Sequence, residues 1–484
     1  MKKITLGFDA TILANAAHKN AGRSGIYFTA YNIAKILHKN KNVNLLFYCD
    51  RRAVNSLHYA INTCLTEFKD VPVLFFETHK TWFDKQIAYM YQLKTFAKTS
   101  NCKGLAVLFH YIGLFEKILF FVPNLFLQKK NSNRFIDCVV SIKNISKESG
   151  HKIMAFVFHY IALLLKVICF VPGIIASLFT KHKKNPDVFF SPCFVVPDSI
   201  ACNKKIKKFT LIHDVIPFIL PEYFESAKKN SNGEYWLERL VRHMSTNNTD
   251  KYFANSLCTK NDFLKLVPSL NKNQITVTYL ACAESFHPCS HQETLKALQK
   301  YKLPTNKKYV FSLCSLEPRK NLIRAVKTFI KFIEKNKIDD MVFVLGGGHW
   351  DEFIGKIESE IKNLGKYKNK IIRAGYIDDE DLAPLYSGAA WFVYTSQYEG
   401  FGLPTLEAMA CGCPVITSNN SCLPEVVGDT AIKIDYDSDA QHIAAYEKYY
   451  FNEKYRKKMA DAGLKRSKQF SWDKTVKQML EDME

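Results

Sequence analysis

Two glutamates bracket a glycine-rich turn in the C-terminal half of the sequence. Residues 396–425 read SQYEGFGLPTLEAMACGCPVITSNNSCLPE, which places Glu399 and Glu407 eight positions apart. Pro404 suits the first turn of a helix, because the backbone N–H that proline lacks would be unpaired there. The free amides of such a helix start attract an anion, and the glycines let a diphosphate approach closely. The pattern predicts a diphosphate site with Glu407 in reach of a sugar hydroxyl and Glu399 at its mouth.

A second candidate group follows another apolar run, VFSLCSL, and reads EPRKN. Its two adjacent cations, Arg319 and Lys320, lie beyond the carboxyl end of a predicted strand. There they can stabilise the charge of a leaving diphosphate, as a divalent metal does elsewhere. Taken alone, this pair also fits an ordinary surface charge pair, and the spacing of Glu399 and Glu407 also fits solvated side chains.

The surrounding segments alternate between strands and helices. From about residue 309, short apolar runs such as YVFSLCSL and MVFVLGGG are separated by helix-periodic segments such as NLIRAVKTFIKFIEKN. The first third begins in the same way with KITLGFD, and the pattern resumes after about residue 185 with DVFFSP and FTLIHDV. This alternation predicts parallel, doubly wound sheets. Ligands of such sheets bind at the carboxyl ends of the strands, so we expect the site in a cleft between two sheets.

We therefore predict an α/β protein with two Rossmann-like domains that face a cleft. The N-terminal domain covers residues 1–300 with a hydrophobic helical insertion at about 80–185, and the C-terminal domain covers residues 305–465. The linker lies near residues 290–306. Residues 466–484 are predicted to form a C-terminal helix that packs back on the N-terminal domain.

Five motifs occur in one order along the chain: HDVIPFILPEYF, ANSLCTKNDF, SLEPRKN, YIDDEDLAPLYSGA and EGFGLPTLEAMACGCPVI. Together they resemble glycosyltransferase family 4, a family of retaining enzymes with the GT-B fold. The resemblance covers most of the chain except roughly residues 80–185, and each motif alone is a weak signal. It implies an N-terminal domain that binds the acceptor and a C-terminal domain that binds a nucleotide sugar.

The resemblance also implies roles for single residues. Glu399 lies beside the donor hexose and Glu407 binds the ribose hydroxyls, while Arg319 and Lys320 bind the diphosphate. Family members often place the arginine several residues before the lysine, whereas here the two are adjacent. His213 reaches toward the sugar, although alone it would more often be a core or surface histidine. The remaining expected contacts, to phosphate or acceptor, come from Gly22, Gly25, Phe401, Gly402 and Leu403.

The implied reaction moves a hexose from a nucleotide-diphosphate sugar with retention of configuration. The diphosphate leaves through an oxocarbenium-like transition state, and the acceptor hydroxyl attacks from the same face while the departing phosphate takes its proton. The protein mainly orients the reactants and stabilises the leaving group, so we expect no metal and no other cofactor. The segment HDVIPFILPEYF resembles bacterial O-antigen and capsule mannosyltransferases, which favours GDP-mannose as the donor.

Two D-x-D patterns, at Asp379 to Asp381 and Asp435 to Asp437, match a metal-binding motif of the other large glycosyltransferase fold. The first stands where a helix would be capped and the second follows a strand, so we interpret both as structural. The triple glycine at 346–348 lacks the rest of a dinucleotide fingerprint. It predicts a turn from a strand to a helix.

The composition indicates a folded, basic protein. The chain has 484 residues, 47% hydrophobic content and a formal net charge of +21. Its lysine clusters point to a phosphorylated ligand, an anionic lipid or nucleic acid, and the charge alone does not choose. The 14 cysteines contain no C-x-x-C pair, which favours reduced thiols in a cytoplasmic protein. Gly7 and Asp9 interrupt the apolar N-terminus, which predicts a first strand and not a signal peptide.

The insertion contains an internal repeat. Residues 109–123, FHYIGLFEKILFFVP, match residues 158–172, FHYIALLLKVICFVP, at an offset of 49. The apolar segments 105–127 and 153–179 are long enough to span a bilayer, but lysines follow both, and positive residues prefer the cytoplasmic side. We expect a re-entrant or shallow helical pair on an anionic membrane, with spanning helices or a buried or oligomer-forming hairpin as alternatives. A lipid-linked or surface-glycan acceptor fits this location.

Other functions stay open from the residues alone. The same fold carries sugar-nucleotide epimerases and phosphorylases, and a phosphorylase would need a lysine-bound pyridoxal cofactor. A non-catalytic membrane-binding scaffold is a further alternative. RNA binding is disfavoured, because the basic clusters lack aromatic-rich strand motifs. The sequence does not specify the nucleotide base, the acceptor, the linkage or the oligomeric state.

Overall fold

Two β-sheets with flanking helices form the described part of the protein. The computed structural model describes residues 3–17, 25–50, 53–76, 185–193, 195–223, 238, 241–242, 244, 249–347 and 351–484. Both copies of the internal repeat lie outside these residues. Residues 1–73 and 186–484 form one compact unit, which contains both sheets apart from residues 74–75 of one edge strand. The α/β class predicted from the alternating pattern is confirmed.

The first sheet has seven strands. They are β1 Ile4–Asp9, β2 Val43–Cys49, β3 Val73–Phe75, β4 Val188–Ser191, β5 Lys207–Ile212, β6 Lys251–Ala254 and β7 Ile275–Val277. The order is β3-β2-β1-β4-β5-β6-β7, and the six strands from β2 across to β7 are parallel. The helices described in this half are α1 Gly25–Lys39, α2 Val54–Thr63, α3 Asp198–Ala201, α4 Ile216–Ile219 and α5 Leu257–Leu266.

The second sheet has six parallel strands. They are β8 Lys308–Leu313, β9 Met341–Gly346, β10 Ile371–Gly375, β11 Trp391–Tyr394, β12 Val415–Ser418 and β13 Ile432–Ile434. The order is β10-β9-β8-β11-β12-β13. The described helices from residue 291 onward are α6 His291–Lys300, α7 Leu322–Lys335, α8 Asp351–Lys362, α9 Asp379–Gly388, α10 Leu403–Ala410, α11 Leu423–Val427, α12 Asp439–Phe451, α13 Glu453–Ser467 and α14 Trp472–Met483.

Large aromatic side chains fill the core between the second sheet and its helices. Trp391 in β11 stacks on Tyr446 of α12 with ring centroids 6.2 Å apart, and Phe332 of α7 lies 5.7 Å from the same tyrosine ring. All three side chains are buried. Burying a large apolar side chain contributes about 1.5–3 kcal/mol. This packing makes the second sheet a rigid support for the loops at its edge.

The strand orders create a switch point in each sheet. In the second sheet it lies between β8 and β11, because β9 and β10 are on one side while β12 and β13 are on the other. Ligands of such sheets bind at the carboxyl ends of the strands beside the switch point. Arg319 and Lys320 follow β8, and Glu399 follows β11. The topology therefore brings the two predicted groups to one edge.

The C-terminal helix α14 contacts the first half of the chain. Lys251 of β6 forms an ion pair with Asp482, and Thr276 of β7 donates to the same carboxylate at 2.6 Å. Lys207 of β5 donates to the carbonyl oxygen of Glu484 at 2.7 Å. Helix α14 therefore packs against strands of the first sheet.

Helix α6 contacts the second half, although the sequence assigned residues 290–306 to a linker. Lys300 pairs with Asp378 at 2.8 Å and with Asp381, both at the start of α9. The Tyr301 hydroxyl donates to Asp381 at 2.9 Å. The pattern of apolar residues in α6 could not predict these contacts, because they join residues that are about eighty positions apart in the sequence.

Gly347 lies directly after β9, and its substitution tests how closely two backbone segments approach each other at this edge of the second sheet. Its φ is +115°, and a Cβ there would lie 2.0 Å from the carbonyl oxygen of Cys314. We expect Gly347→Ala to lower the free energy of unfolding by about 3 kcal/mol or more, measured by urea denaturation. Gly355→Ala is the control, because a Cβ at this position of α8 meets nothing within 4 Å. It should raise stability by about 1 kcal/mol. Equal midpoints for the two variants would contradict the close approach.

Candidate active site

The loops after β8 and β11 meet in a buried group of charges, which we call the ion cluster: Arg319, Lys320 and Glu399. Nζ of Lys320 lies 2.6 Å from Oε1 of Glu399, and a guanidinium nitrogen of Arg319 lies 3.1 Å from the same oxygen. The three residues are only 9%, 8% and 6% exposed. Two cations therefore converge on one carboxylate away from water.

Tyr394, the last residue of β11, is hydrogen-bonded to two members of the ion cluster. Lys320 donates to the phenol oxygen at 2.8 Å, and the phenol donates to Oε1 of Glu399 at 2.8 Å. The ammonium also lies 5.1 Å from the centroid of the tyrosine ring, within the range of a cation–π contact. Burial raises the pKa of Tyr394 well above its ordinary value. The phenol therefore stays neutral and keeps its proton for Glu399.

Glu317 balances the second cation. It accepts a hydrogen bond from Nε of Arg319 at 2.6 Å, and the same guanidinium donates to the carbonyl oxygen of Tyr398 at 2.9 Å. Burial alone would raise the pKa of Glu399, but the charges of Arg319 and Lys320 outweigh it and lower this pKa to about 2. Glu399 is therefore ionised at neutral pH, and two negative charges face two positive ones.

Helix α10 begins close to the first half of the chain. Gly402, with φ of +85°, precedes it, and a Cβ at Gly402 would lie 2.6 Å from the side chain of Leu423. Glycine is therefore required there both by backbone conformation and by space. A Cβ built on Gly25 would lie 3.5 Å from the side chain of Leu403. Gly25 thus faces the start of α10, whereas Gly22 lies outside the described residues.

Phe401 is buried and serves the core. Its ring lies 6.1 Å from that of Phe470 and 6.5 Å from that of Tyr279. The side chain is therefore used in packing, and a contact between this residue and an anion would come from its backbone amide.

Glu407 lies one turn inside α10 and is half-buried. The hydroxyl of Tyr386 in α9 donates to its Oε2 at 3.1 Å. Burial raises the pKa of Glu407 to about 7, and the charge of nearby Asp379 adds to this effect. Its carboxyl group therefore changes charge near neutral pH, unlike that of Glu399.

His213 follows β5 and touches the loop that carries Glu399. Its Nε2 lies 2.7 Å from the carbonyl oxygen of Pro192. A carbonyl only accepts, so Nε2 carries the proton and Nδ1 is an acceptor. Burial lowers the pKa of His213 to about 4, which keeps the ring neutral. A Cβ on Gly400 would lie 2.3 Å from the His213 carbonyl oxygen, so these two backbones are in close contact.

Comparison with known proteins assigns the family. The model of the family described as glycosyl transferases group 1 matches residues 294–466. O-antigen chain mannosyltransferase B of Escherichia coli is 31% identical over 294 residues, which cover 60% of this chain and 73% of that relative. The chain belongs to the group 1 glycosyltransferases. The family resemblance predicted from the five motifs is confirmed.

A second relative of this glycosyltransferase is longer. Serotype-specific mannosyltransferase WbdA of Escherichia coli is 27% identical over 285 residues, which cover 58% of this chain but only 34% of that protein. The shared part therefore corresponds to about one third of WbdA.

Solved structures show the fold of the glycosyltransferase. Anabaena HepE in complex with UDP and glucose has a TM-score of 0.59 at 13% identity and covers 100% of this chain and 99% of its own. A glycosyltransferase from Rickettsia africae ESF-5 has a TM-score of 0.59 at 15% identity, with 100% and 98% covered. At these identities the likeness concerns the fold alone. The predicted GT-B fold, with two Rossmann-like sheets, is confirmed.

The glycosyltransferase site also contains residues that sequence reasoning did not single out. The phenols of Tyr394 and Tyr386 bind the two glutamates. Ser256 and Thr259 hydrogen-bond to the carbonyl oxygen of Gly400. Signals were available: Tyr394 ends the strand before the glutamate loop, and the serine and threonine lie in the motif ANSLCTKNDF. Neither signal indicates which distant residue is contacted.

The carboxylates of the two D-x-D patterns bind cationic side chains of the enzyme. Asp381 pairs with Lys300, and Asp437 pairs with Arg324. Asp435 accepts a hydrogen bond from the backbone N–H of Asp437 at 3.0 Å. These contacts stabilise the start of α9 and the turn before α12.

The raised pKa of Glu407 predicts a pH effect on stability. Its protonated form is favoured in the folded state, so the fold loses stability as the pH rises from about 4.5 to about 7. Glu407→Gln removes this loss. We expect the variant to gain thermal stability over the wild type, and to gain more at pH 8 than at pH 5, in calorimetric scans of the ligand-free enzyme.

Glu399→Gln is the control with the opposite sign. The lowered pKa of Glu399 contributes stability that is fully present above about pH 4.5 and is lost as the pH falls toward 2. The variant should therefore lose thermal stability by the same amount at pH 5 and pH 8. A gain for Glu407→Gln that does not change between these two pH values would contradict the raised pKa.

Proposed function

We propose that the enzyme is a retaining hexosyltransferase that moves mannose from GDP-mannose to a lipid-linked or surface-glycan acceptor at the cytoplasmic face of the membrane. The observation that carries this proposal is the ion cluster. Its cations lie at the switch-point edge of the second sheet, and its carboxylate lies on the loop that leads into α10. Cations and a helix start at one edge suit a diphosphate linked to a sugar.

The donor fits the site in one orientation. Its diphosphate lies between the cations of the ion cluster and the backbone amides of Gly402 and Leu403. Glu407, one turn further along α10, accepts hydrogen bonds from the ribose hydroxyls. Glu399 accepts one from the hexose on the other side of the diphosphate. The nucleoside and the hexose therefore extend in opposite directions from the helix start.

Donor binding exchanges the partners of the cations. In the free enzyme Lys320 and Arg319 are offset by Glu399 and Glu317. A bound diphosphate competes for these cations and frees an oxygen of Glu399 for a hexose hydroxyl. The cation contacts then strengthen as negative charge grows on the leaving group. Interactions that are stronger in the transition state than in the ground state are those that accelerate the reaction.

The transfer step needs no base from the protein. The bond between C1 of the hexose and the phosphate oxygen breaks, and a bond from C1 to the acceptor oxygen forms on the same face. The departing phosphate takes the proton of the acceptor hydroxyl. The cation pair has the role that a divalent metal has in other transferases, so we propose a reaction without a metal.

His213 contributes from the first half of the chain. With Nε2 bound to the Pro192 carbonyl, its neutral ring presents Nδ1 as an acceptor. We assign this nitrogen to a hydroxyl of the donor hexose. The contact would help to orient C1 toward the acceptor, which binds on the side of the first sheet.

The relatives support the choice of the sugar. Both relatives named above are mannosyltransferases, and the first is an O-antigen chain mannosyltransferase, which favours mannose and a glycan or lipid-linked acceptor. The HepE structure contains UDP and glucose, which supports a nucleotide-sugar donor in general. GDP is our choice of nucleotide because of the mannose.

The membrane part of the proposal rests on charge. The net charge is +21, and lysine clusters follow the two apolar segments 105–127 and 153–179, which lie outside the described residues. Within the described ranges, no helix has both the length and the apolar character needed to cross a bilayer. Lysine clusters attract anionic lipid headgroups at the cytoplasmic surface. Such binding would bring the site close to a lipid-linked acceptor.

Donor binding and transfer test the first part of the proposal. GDP-mannose at 100 times its Kd should stabilise the wild type by about 2.7 kcal/mol in thermal unfolding. Lys320→Ala should weaken this effect and lower mannose transfer by about 1000-fold, because it removes charge stabilisation of the leaving group. Lys331→Ala is the control, since within the described residues this exposed lysine forms its ion pair with Asp439 alone. Absence of stabilisation by any nucleotide sugar in a panel would contradict the proposal.

Vesicle binding tests the second part. The full chain should sediment with vesicles that contain phosphatidylglycerol, and binding should weaken as salt is raised. Glutamine replacements of Lys129, Lys130, Lys181, Lys183 and Lys184 should reduce it. The control replaces five exposed lysines in or directly after α13, so that the loss of charge is equal: Lys454, Lys457, Lys458, Lys465 and Lys468. Equal binding by the two variants would contradict a role for the flanks of the apolar segments.

A further inference from the structure

We propose that Ser256 and the first two turns of α5 form a positioning element for Glu399, and that Thr259 is its central residue. This inference rests on the proposed function, in which Glu399 binds the donor hexose. Glu399 belongs to the second half of the chain, whereas α5 belongs to the first. The geometry points to a latch, formed by Ser256, Thr259 and Asp262, that holds the residues on both sides of Glu399.

The latch holds the residue after Glu399 by its carbonyl group. Oγ of Ser256 donates to the carbonyl oxygen of Gly400 at 2.8 Å, and Oγ1 of Thr259 lies 3.2 Å from the same oxygen. Oγ1 of Thr259 also lies 2.9 Å from the carbonyl oxygen of His213. The Thr259 hydroxyl therefore contacts the backbone of His213 in the first half. It also contacts the backbone of Gly400, the residue after Glu399, in the second half. All of these contacts are buried.

The latch holds the residue before Glu399 by its side chain. The hydroxyl of Tyr398 donates to Oδ2 of Asp262 at 2.7 Å. It also lies 3.3 Å from the sulfur of Cys258, one turn before Asp262 in α5. The carbonyl oxygen of Tyr398 accepts from Arg319. This residue is therefore fixed at its side chain by one half and at its backbone by the other.

The second half in turn fixes α5. Glu425 of α11 accepts hydrogen bonds from the backbone N–H of Leu257 at 2.7 Å and of Cys258 at 3.3 Å. The hydroxyl of Tyr279 donates to the same carboxylate at 2.7 Å. A carboxylate at a helix N-terminus satisfies free amides and interacts favourably with the helix dipole. Glu425 therefore fixes the first turn of α5 relative to the second half of the chain. The residues of the latch then fix the position of Gly400.

The contacts of Tyr398 and Gly400 restrict the backbone on both sides of Glu399. They therefore limit where the Glu399 side chain can lie. Close packing adds to this restriction, because a Cβ at Gly400 would lie 2.3 Å from the His213 carbonyl oxygen and 2.9 Å from Cβ of Asp214. The cations of the ion cluster and the start of α10 belong to the second half, and in the described part of the chain neither cation is hydrogen-bonded directly to Ser256, Thr259 or Asp262. We therefore expect loss of the latch to impair transfer and to leave donor affinity largely unchanged.

The test compares Thr259→Val with Thr259→Ser. Valine has the shape of threonine without the hydroxyl, while serine retains it. Thr259→Val should lower kcat for mannose transfer by about 10- to 100-fold, because misplacement of a catalytic group by about 1 Å has an effect of this size. Its KM for GDP-mannose should stay within about threefold of the wild type. Thr259→Ser should restore most of kcat.

Two further variants complete the experiment. Thr210→Val is the matched control, because this threonine of β5 is fully buried and its hydroxyl has no hydrogen-bond partner in the part of the chain that the structure describes. It should keep the wild-type kcat. Tyr398→Phe removes the contact on the other side of Glu399 and should lower kcat with unchanged KM as well. This variant keeps the test informative if Thr259→Val fails to fold.

Three outcomes would overturn the positioning role: a wild-type kcat in both Thr259→Val and Tyr398→Phe, equal losses in Thr259→Val and Thr259→Ser, or a KM that rises in parallel with the loss of kcat. Failure of the proposed function has a different result. In that case the wild type itself transfers no hexose from any nucleotide sugar, or Glu399→Gln transfers as fast as the wild type.

Discussion

The site depends on the burial of two cations against one carboxylate. Each buried ion costs several kcal/mol in lost hydration, and only close, well-oriented partners offset this cost. Lys320, Arg319 and Glu399 meet the condition with separations of 2.6 and 3.1 Å, and Tyr394 and Glu317 satisfy further hydrogen bonds. Removal of any one of the four charges leaves the group with an unbalanced net charge. The loops after β8 and β11 are therefore held together by the same charges to which we assign the diphosphate.

This arrangement also explains how a buried site can accept an anion. A site with unpaired buried cations would be costly to fold, whereas one whose cations are already paired can exchange a protein carboxylate for a diphosphate. The lowered pKa of Glu399 keeps that carboxylate ionised in the free enzyme, and its displacement leaves it ready to accept a sugar hydroxyl. Glu407 differs, because burial and the charge of Asp379 outweigh the hydrogen bond from Tyr386 and raise its pKa to about 7. Two glutamates of one motif thus have different electrostatic roles.

The sequence predicted what depends on local pattern and on chain order. Alternating apolar runs and amphipathic helices predicted the two sheets. The strand order seen in the structure then brings the segments with Lys320 and Glu399 to one edge. The motifs gave the family. Contacts between distant residues were not predictable in this way: the sequence pattern did not single out Tyr394, and α6 was assigned to a linker although it packs on α9. Periodicity indicates which face of an element is buried but not which partner covers it.

The contacts of α5 suggest how the two halves would act together in the proposed reaction. The ion cluster and the start of α10, to which we assign the donor, lie within the second half, and that half alone could hold a diphosphate. His213 and the acceptor side belong to the first half. The carbonyl oxygen of Gly400 and the phenol of Tyr398, which flank Glu399, are bound by residues of α5. The carboxylate that we assign to the hexose is therefore placed by the half to which we assign the acceptor. A donor bound to the second half alone would lack this placement of Glu399.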